Sequence, residues 1–451
     1  MSRCMMPRIV LVLIIAGLAI LTARPGWAEE TAAAGGLKPG DILNQSNWKK
    51  AEGLLPPEIL KHYKDGDYAN PIVDWPESQW KWPPPFLAAT KKNAGQFDLD
   101  DAGTIIGKKS GKQPPYIVGL PFPVIDPADP KAGAKVLWNV YYARWYTGSI
   151  HAETQLNWVS PKALERRADL IADFEYYDGI PKADRLPNPE NFDTRVLAVT
   201  IAPADLNGTA SLTWRYRDPN KRDSTWAYVP ALRRVRAVSP ANRSDGFLGS
   251  DMSQDDGEFF DGKVEDFTWK LNGEVDQLRY VDPLALKGQS ELVWLPSGGW
   301  RAMWPDLKTL GYMDPNWKGL AWAPLTAALA KRRVWVIEGK PKDKYYLYGR
   351  IELYVDQVTF QGGWNRKFSW RGELLNTLQV LTAGELRPFK RPDGRVDYLR
   401  GANMAYQCAE NIKANRATVA GLKSDPKGGF DYFVTFSPAL FDVNSLSRYG
   451  K

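Results

Sequence analysis

"SLTWRYRDPNKRDSTWAYVPALRRVRAVSP", residues Ser211–Pro240, decides the fold class. Three runs of β-branched and aromatic residues, SLTWRYR, STWAYV and RRVRAVS, are separated by the turn cluster DPNKRD and by Pro230. That is the pattern of consecutive antiparallel strands. Side chains alternate along a strand, so Trp214 and Tyr216 share one face, as do Trp226 and Tyr228. Beyond Pro230, Arg234 and Arg236 share a face opposite Arg233, Val235 and Ala237.

Working outward, RVLAVTIA (Arg195–Ala202) and, later, EDFTWKL, RVWVIEG, YYLYGRIELYVD and RKFSWRGEL have the same character. The last three read as a meander with turns at Lys340–Lys344 and Gln361–Asn365. KVLWNVYYARWYTG, from Lys135, is also rich in β-branched and aromatic residues and reads as a strand. Helices are expected at Asn47–Leu54 behind a Ser46 cap, and from Pro57 to about Lys64 with Gly66 beyond the end. Two more are expected in SPKALERRADLIADF, opened by Ser160 and Pro161, and in NMAYQCAENIKANRATVAG, where Met404, Cys408 and Ile412 form a stripe. Residues 76–130 are rich in Pro, Trp and Gly and read as packed loop with one short helix. No fixed-period repeat is present. The expectation is an α+β protein: a long curved antiparallel sheet from about Lys135 to Leu374, with helices from both ends on its concave side.

At the N-terminus, Arg3 and Arg8 precede the apolar run Ile9–Leu21, and Gly26 and Ala28 supply small residues before a cut. This predicts a secretory leader, residues 1–28, followed by one domain over 29–451. The run is too short for a membrane span, and Cys4 lies before it, where lipidation does not act. Loss of the leader leaves Cys408 without a partner, so stability must come from burial. It also removes Arg3, Arg8 and Arg24, which lowers the formal charge from +7 to +4. Both signs are interspersed, which argues against a nucleic-acid partner. The 19 Trp need either a large core or a ligand.

Marked catalytic patterns are missing. Ser250 stands in LGSDM rather than in G-x-S-x-G, and His62 and His151 are the two histidines. There is no H-E-x-x-H and no set of metal ligands at zinc spacing. GTIIGKKS (Gly103–Ser110) has three residues between its glycines where a phosphate loop needs four. Asp251, Ser253 and Asp255 have calcium-loop spacing, but Asp256 and Gly262 stand where that loop needs Gly and Glu. Asp255, Asp256 and Glu258 are close enough in sequence to keep glycoside hydrolysis as a reading. The simpler reading is a structural clasp, in which Arg234 or Arg236 pairs with Asp245, Asp251, Asp255 or Asp256. No metal and no cofactor is expected.

WAYVPALRRVRAV, RSDGFLGSDMSQDD and FFDGKVEDFTWKLNG resemble the central signature of the domain-of-unknown-function 1329 family of Gram-negative exported proteins. LKPGDILNQSNWKKAEGLLPPEILKHYKDGDY, GLPFP (Gly119–Pro123), VWVIEGKPKD and YGRIELYVD resemble it too, so the likeness spans nearly the whole mature chain. The family is similar in its middle to outer-membrane lipoprotein-sorting proteins of the LolA and LolB type. The resemblance implies a sheet curled into an incomplete barrel, covered by helices and enclosing an apolar cavity. It implies a periplasmic carrier of a hydrophobic, lipid-like cargo rather than an enzyme. It also implies a resistance-nodulation-division (RND) transporter and an outer-membrane protein as partners. On such a sheet the candidate cavity wall is Trp214, Trp226, Tyr228, Trp269, Trp335 and Tyr348. The alternative is a periplasmic glycan-binding protein using Trp residues such as those of WKWPPPF (Trp80–Phe86), or a hydrolase using the acidic run near Asp255.

Overall fold

The computed structural model describes residues 36–77, 81–281, 291–303, 309–383, 386–400, 403–422 and 428–450. The leader expected at residues 1–28 lies outside them. Three helices come first: α1 (Pro57–Asp65), α2 (Pro84–Asn93) and α3 (Ala132–Trp145). Pro57 opens α1 and Gly66, at φ 84°, closes it, as the sequence predicts. The helix expected at Asn47–Leu54 shrinks to one tight turn, Trp48–Ala51.

Sixteen strands among the described residues form one sheet. In chain order they are β1 (Ile150–Val159), β2 (Leu164–Tyr176), β3 (Phe192–Ala202), β4 (Ala210–Tyr216), β5 (Ser224–Val229) and β6 (Arg234–Val238). Next come β7 (Phe267–Val281), β8 (Glu291–Trp294), β9 (Trp300–Met303), β10 (Ala328–Pro341), β11 (Arg350–Asp356) and β12 (Gly362–Phe368). The last are β13 (Leu374–Ala383), β14 (Asn403–Asn411), β15 (Arg416–Leu422) and β16 (Phe430–Tyr432). The spatial order is β6-β5-β4-β3-β2-β1-β15-β14-β13-β12-β11-β10-β7, with β16 joining β1 to β9, and β9 to β8. Every pairing is antiparallel.

Two edges, β6 and β7, end this ladder, so the sheet is not closed. It is nevertheless curled. Ten strand spacings separate β4 from β7, roughly 48 Å along a flat sheet. Yet α3, about 21 Å long, reaches both. Near its start, a Cβ on Gly133 would stand 2.7 Å from the Lys270 carbonyl carbon on β7, so only glycine permits this approach. At its other end, Arg144 and Arg215 of β4 share one cavity. The sheet therefore wraps around α3, and we call the wrapped face the inner one.

Three stretches depart from the expectation. KVLWNVYYARWYTG is not a strand: it is most of α3, in which every residue except Lys135 is buried. SPKALERRADLIADF is not a helix: it turns into β2, and Ser160 caps a hairpin turn, accepting from the Ala163 N–H at 3.2 Å. NMAYQCAENIKANRATVAG is the β14–β15 hairpin, with Asn411 opposite Arg416, so the C-terminal helix expected there is absent. The 3-10 turns Pro438–Phe441 and Val443–Gly450 instead pack on the outer face, over Leu197, Leu212 and Tyr228. Cys408 is buried in the core, as expected.

Candidate functional site

Alternation along β2, β3 and β4 builds one wall of a cavity of about 190 Å³ on the inner face. Ala172, Phe174 and Tyr176 come from β2, Thr194, Val196 and Ala198 from β3, and Ser211, Thr213 and Arg215 from β4. The opposite wall is α3, through Arg144, and the signature segment 244–261, through Phe247, Met252, Gln254 and Glu258. Leu156 and Gln407 complete it. One part of the wall is apolar and the other is crowded with charge.

The charged end is organised around Asp261. Its Oδ1 accepts from Arg144 at 2.9 Å, its Oδ2 from Arg243 at 3.2 Å, and its main-chain carbonyl from Arg215 at 2.6 Å. Burial works against its charge, but Arg215, Arg144 and Arg243 hold the carboxyl below its ordinary range. Arg215 also meets Asp223 at 2.8 Å, and Arg243 meets Asp255 at 2.7 Å. Glu258 faces Arg144 at 3.1 Å, and burial pushes its carboxyl up to about 7. The backbone here is strained: Glu258 and Phe259 have φ 41° and 83°. Neighbours hold it in place. Phe259 N–H donates to Gln407 at 2.8 Å, Asn365 donates to the Phe259 carbonyl at 2.9 Å, and the Phe259 ring fills the space a Cβ would need at Gly362.

The same segment is pinned along its length. Asp251 accepts from Arg416 at 2.9 Å and from Asn411 at 2.8 Å. Asp255 accepts from the Tyr346 hydroxyl at 2.7 Å. Asp256, fully buried, caps the turn at Ser253 and pairs with the buried Lys367. A clasp exists, but its cations are Arg243, Arg416 and Lys367. Arg234 and Arg236 project from the edge strand β6 into solvent, and Asp245 is exposed as well. Strand alternation pointed to Arg234 and Arg236 and passed over Arg243, the arginine nearest the acidic run, while Arg416 and Lys367 arrive from strands more than a hundred residues away. Arg234→Ala should change the unfolding free energy by less than about 0.5 kcal/mol. Asp251→Ala, which strips two donors of their acceptor, should cost about 1–3 kcal/mol. Urea unfolding of the two variants checks this pair.

The six aromatic candidates do not line the cavity. Trp214, Trp226 and Tyr228 lie on the outer face, where Trp214 Nε1 donates to the Phe441 carbonyl at 3.0 Å under the C-terminal turns. Trp269 packs among Phe260 and Phe267 and donates to the Val264 carbonyl at 3.0 Å. Trp335 is half-buried on β10, and Tyr348 sits in the β10–β11 loop beside Lys367. The residues that do line it, Arg144, Arg215, Gln254, Glu258 and Asp261, were in part visible as the acidic run. Arg215 was visible as the alternate partner of Trp214 and Tyr216. Arg144 had no signal, because its helix reads as a strand.

Among the described residues, no group of three or more His, Cys, Asp and Glu could hold a metal ion. No helix among them is long and apolar enough to cross a membrane. His62 and His151 are far apart in the fold: His62 meets Glu410 at 2.9 Å and His151 meets Asp173 at 2.6 Å.

The fold is thus an open antiparallel sheet curled around a helix, with a cavity that has an apolar part and a charged end beneath a pinned segment. The chain belongs to the DUF1329 family, whose model, described as a protein of unknown function (DUF1329), matches residues 42–447. No curated protein matches the chain. Among solved structures, it is similar to a candidate outer membrane lipoprotein-sorting protein domain from Vibrio parahaemolyticus, at 16% identity and TM-score 0.44, covering 71% of this chain and 100% of that one. A DUF1329 family protein from Desulfovibrio piger gives 18% identity and TM-score 0.44, with the same coverage. A LolA superfamily protein from Nitrosomonas europaea gives 12% identity and TM-score 0.39, covering 69% of this chain and 97% of that one.

Proposed function

We propose that the protein is a periplasmic carrier that shelters the apolar part of a lipid-like cargo in the cavity beneath residues 244–261. The observation that carries this reading is the wall itself: Leu156, Ala172, Phe174, Val196, Ala198 and Met252 present apolar surface to an interior space that also has a polar end. A space of about 190 Å³ is comparable to apolar cavities that take a single ring. A whole acyl chain therefore needs the pinned segment to shift. Export behind the leader 1–28, as one domain over 29–451, belongs to the same proposal. So do hand-over partners of the resistance-nodulation-division (RND) transporter and outer-membrane kinds. No catalytic role is assigned to the acidic run, because its carboxylates are occupied by arginines and a lysine rather than facing each other across a cleft.

Ala198→Phe, which puts a ring into the cavity from the centre of β3, tests the reading. Displacement of a fluorescent fatty-chain probe should weaken at least about tenfold, with the thermal midpoint unchanged or raised. Unchanged probe affinity in the folded variant would remove the cavity from the mechanism. A sugar rather than a lipid released from protein purified from its source would favour the glycan-binding or hydrolase alternative.

A further inference from the structure

The polar end of the cavity constrains the cargo's own polar group. Arg144, Arg215 and Arg243 supply three positive charges, and Asp223, Asp255, Glu258 and Asp261 answer with four carboxylates, each ion-paired. An anionic end group would meet cations that are already engaged and carboxylates that repel it; a cationic one would meet three guanidiniums that repel it and carboxylates that are engaged, with the fourth, Glu258, pushed by burial towards its neutral form. What is left over is hydrogen-bonding capacity on groups whose charge is already matched or that carry none. Arg144 Nε and Glu258 Oε2 form an ion pair without hydrogen-bond alignment, and neither has a hydrogen-bond partner. Gln254 gives its Nε2 to Ser211 Oγ at 3.0 Å, and its Oε1 has no partner. Turning the amide over exchanges which atom is left, but one always is. Arg144 is 8% exposed, Gln254 and Glu258 are half-buried, and all three residues line the cavity.

We propose that the cavity takes an uncharged amphiphile whose polar end is a hydroxyl-like group, able both to donate and to accept a hydrogen bond, with its hydrocarbon against Leu156, Phe174, Val196 and Met252. This deepens the carrier reading and rests on it. A group that both donates and accepts meets Arg144, Glu258 or Gln254 in either orientation of the amide, without disturbing the ion pairs around Asp261.

The test competes n-octanol, octanoate, octylammonium and n-octane against a fluorescent fatty-chain probe on the purified protein. Octanol should bind at least about tenfold more tightly than either ion. Gln254→Leu should weaken octanol several-fold and leave octane unchanged, a split that a merely structural role would not produce. Tighter binding of octanoate or octylammonium overturns the end-group inference and leaves the carrier reading standing. Equal losses for octanol and octane in Gln254→Leu overturn the part assigned to Gln254. Failure of all four probes, octane included, removes the carrier reading and this inference with it. If Gln254→Leu does not fold, the order of the four probes on the unmodified protein still decides the matter.

Discussion

Lys367→Met should lower the unfolding free energy by about 3–5 kcal/mol, because it leaves a buried carboxylate without its cation. Lys367 is 2% exposed and its partner Asp256 is 0% exposed, so water cannot replace the lost partner. Asp256 keeps two acceptor contacts, from Ser253 N–H at 2.8 Å and Ser253 Oγ at 3.0 Å, which hold the turn but do not neutralise the charge. The double variant Lys367→Met, Asp256→Asn should recover much of the loss, since a neutral amide keeps an acceptor for Ser253 and needs no cation. Urea unfolding of both proteins checks the pair. A single variant as stable as the unmodified protein would show that the signature segment is held by something other than this contact.

The second large effect is on pH. Burial pushes Glu258 and Glu265 up to about 7 and Asp193 up to about 6. A carboxyl raised on folding binds more protons in the native than in the unfolded chain, so each of these groups makes stability fall as pH rises from about 4 towards 7. His62 acts in the same direction at higher pH. Burial opposes its charge, but Asp67 and Glu410 outweigh burial and hold the imidazolium up to about 9. Its contribution is complete below the unfolded value of about 6.5 and is lost as pH rises through the folded one. Asp356 works the other way: burial opposes its charge, while Arg332 and Arg279 hold it down to about 2, so its contribution disappears as pH falls towards that value. Stability should therefore peak near pH ~4 and decline by several kcal/mol by pH ~9. Urea midpoints across that range would show it, and His62→Gln should flatten the part above neutrality. A flat or rising profile would sink the expectation.

The strands of the Ser211–Pro240 stretch were legible because alternation and turns agree there, and β3 to β6 fall where the sequence puts them. The failures have physical causes. In α3 the polar face that would announce a helix is missing, since the sheet wraps it and buries nearly every position. Met404 and Cys408 in β14, with Ile412 just beyond its end, have a spacing of four, which fits a helix but is also a multiple of the strand period of two. At Ser160 one hydroxyl-to-amide contact serves a helix cap and a hairpin turn equally well. The cavity wall was misread for a related reason. Both faces of β4 are covered, the inner by α3 and the signature segment and the outer by the C-terminal turns, so alternation sorts its residues into two sets without saying which set meets a ligand.

The two unpaired edges, β6 and β7, have a consequence for what the interior can hold. A closed barrel has its girth fixed by strand number and stagger, and widening it means breaking a full row of backbone bonds. Here side chains span the gap. Lys263, just before β7, donates to the carbonyls of Tyr216, Asp218 and Lys221 at 3.0, 2.8 and 2.9 Å, and Arg222 meets Asp343 at 2.9 Å. Such links stretch and re-form one at a time. Widening at this seam would cost side-chain links alone, with every strand keeping its backbone neighbours, so the girth is not set by the strand ladder as it is in a closed barrel.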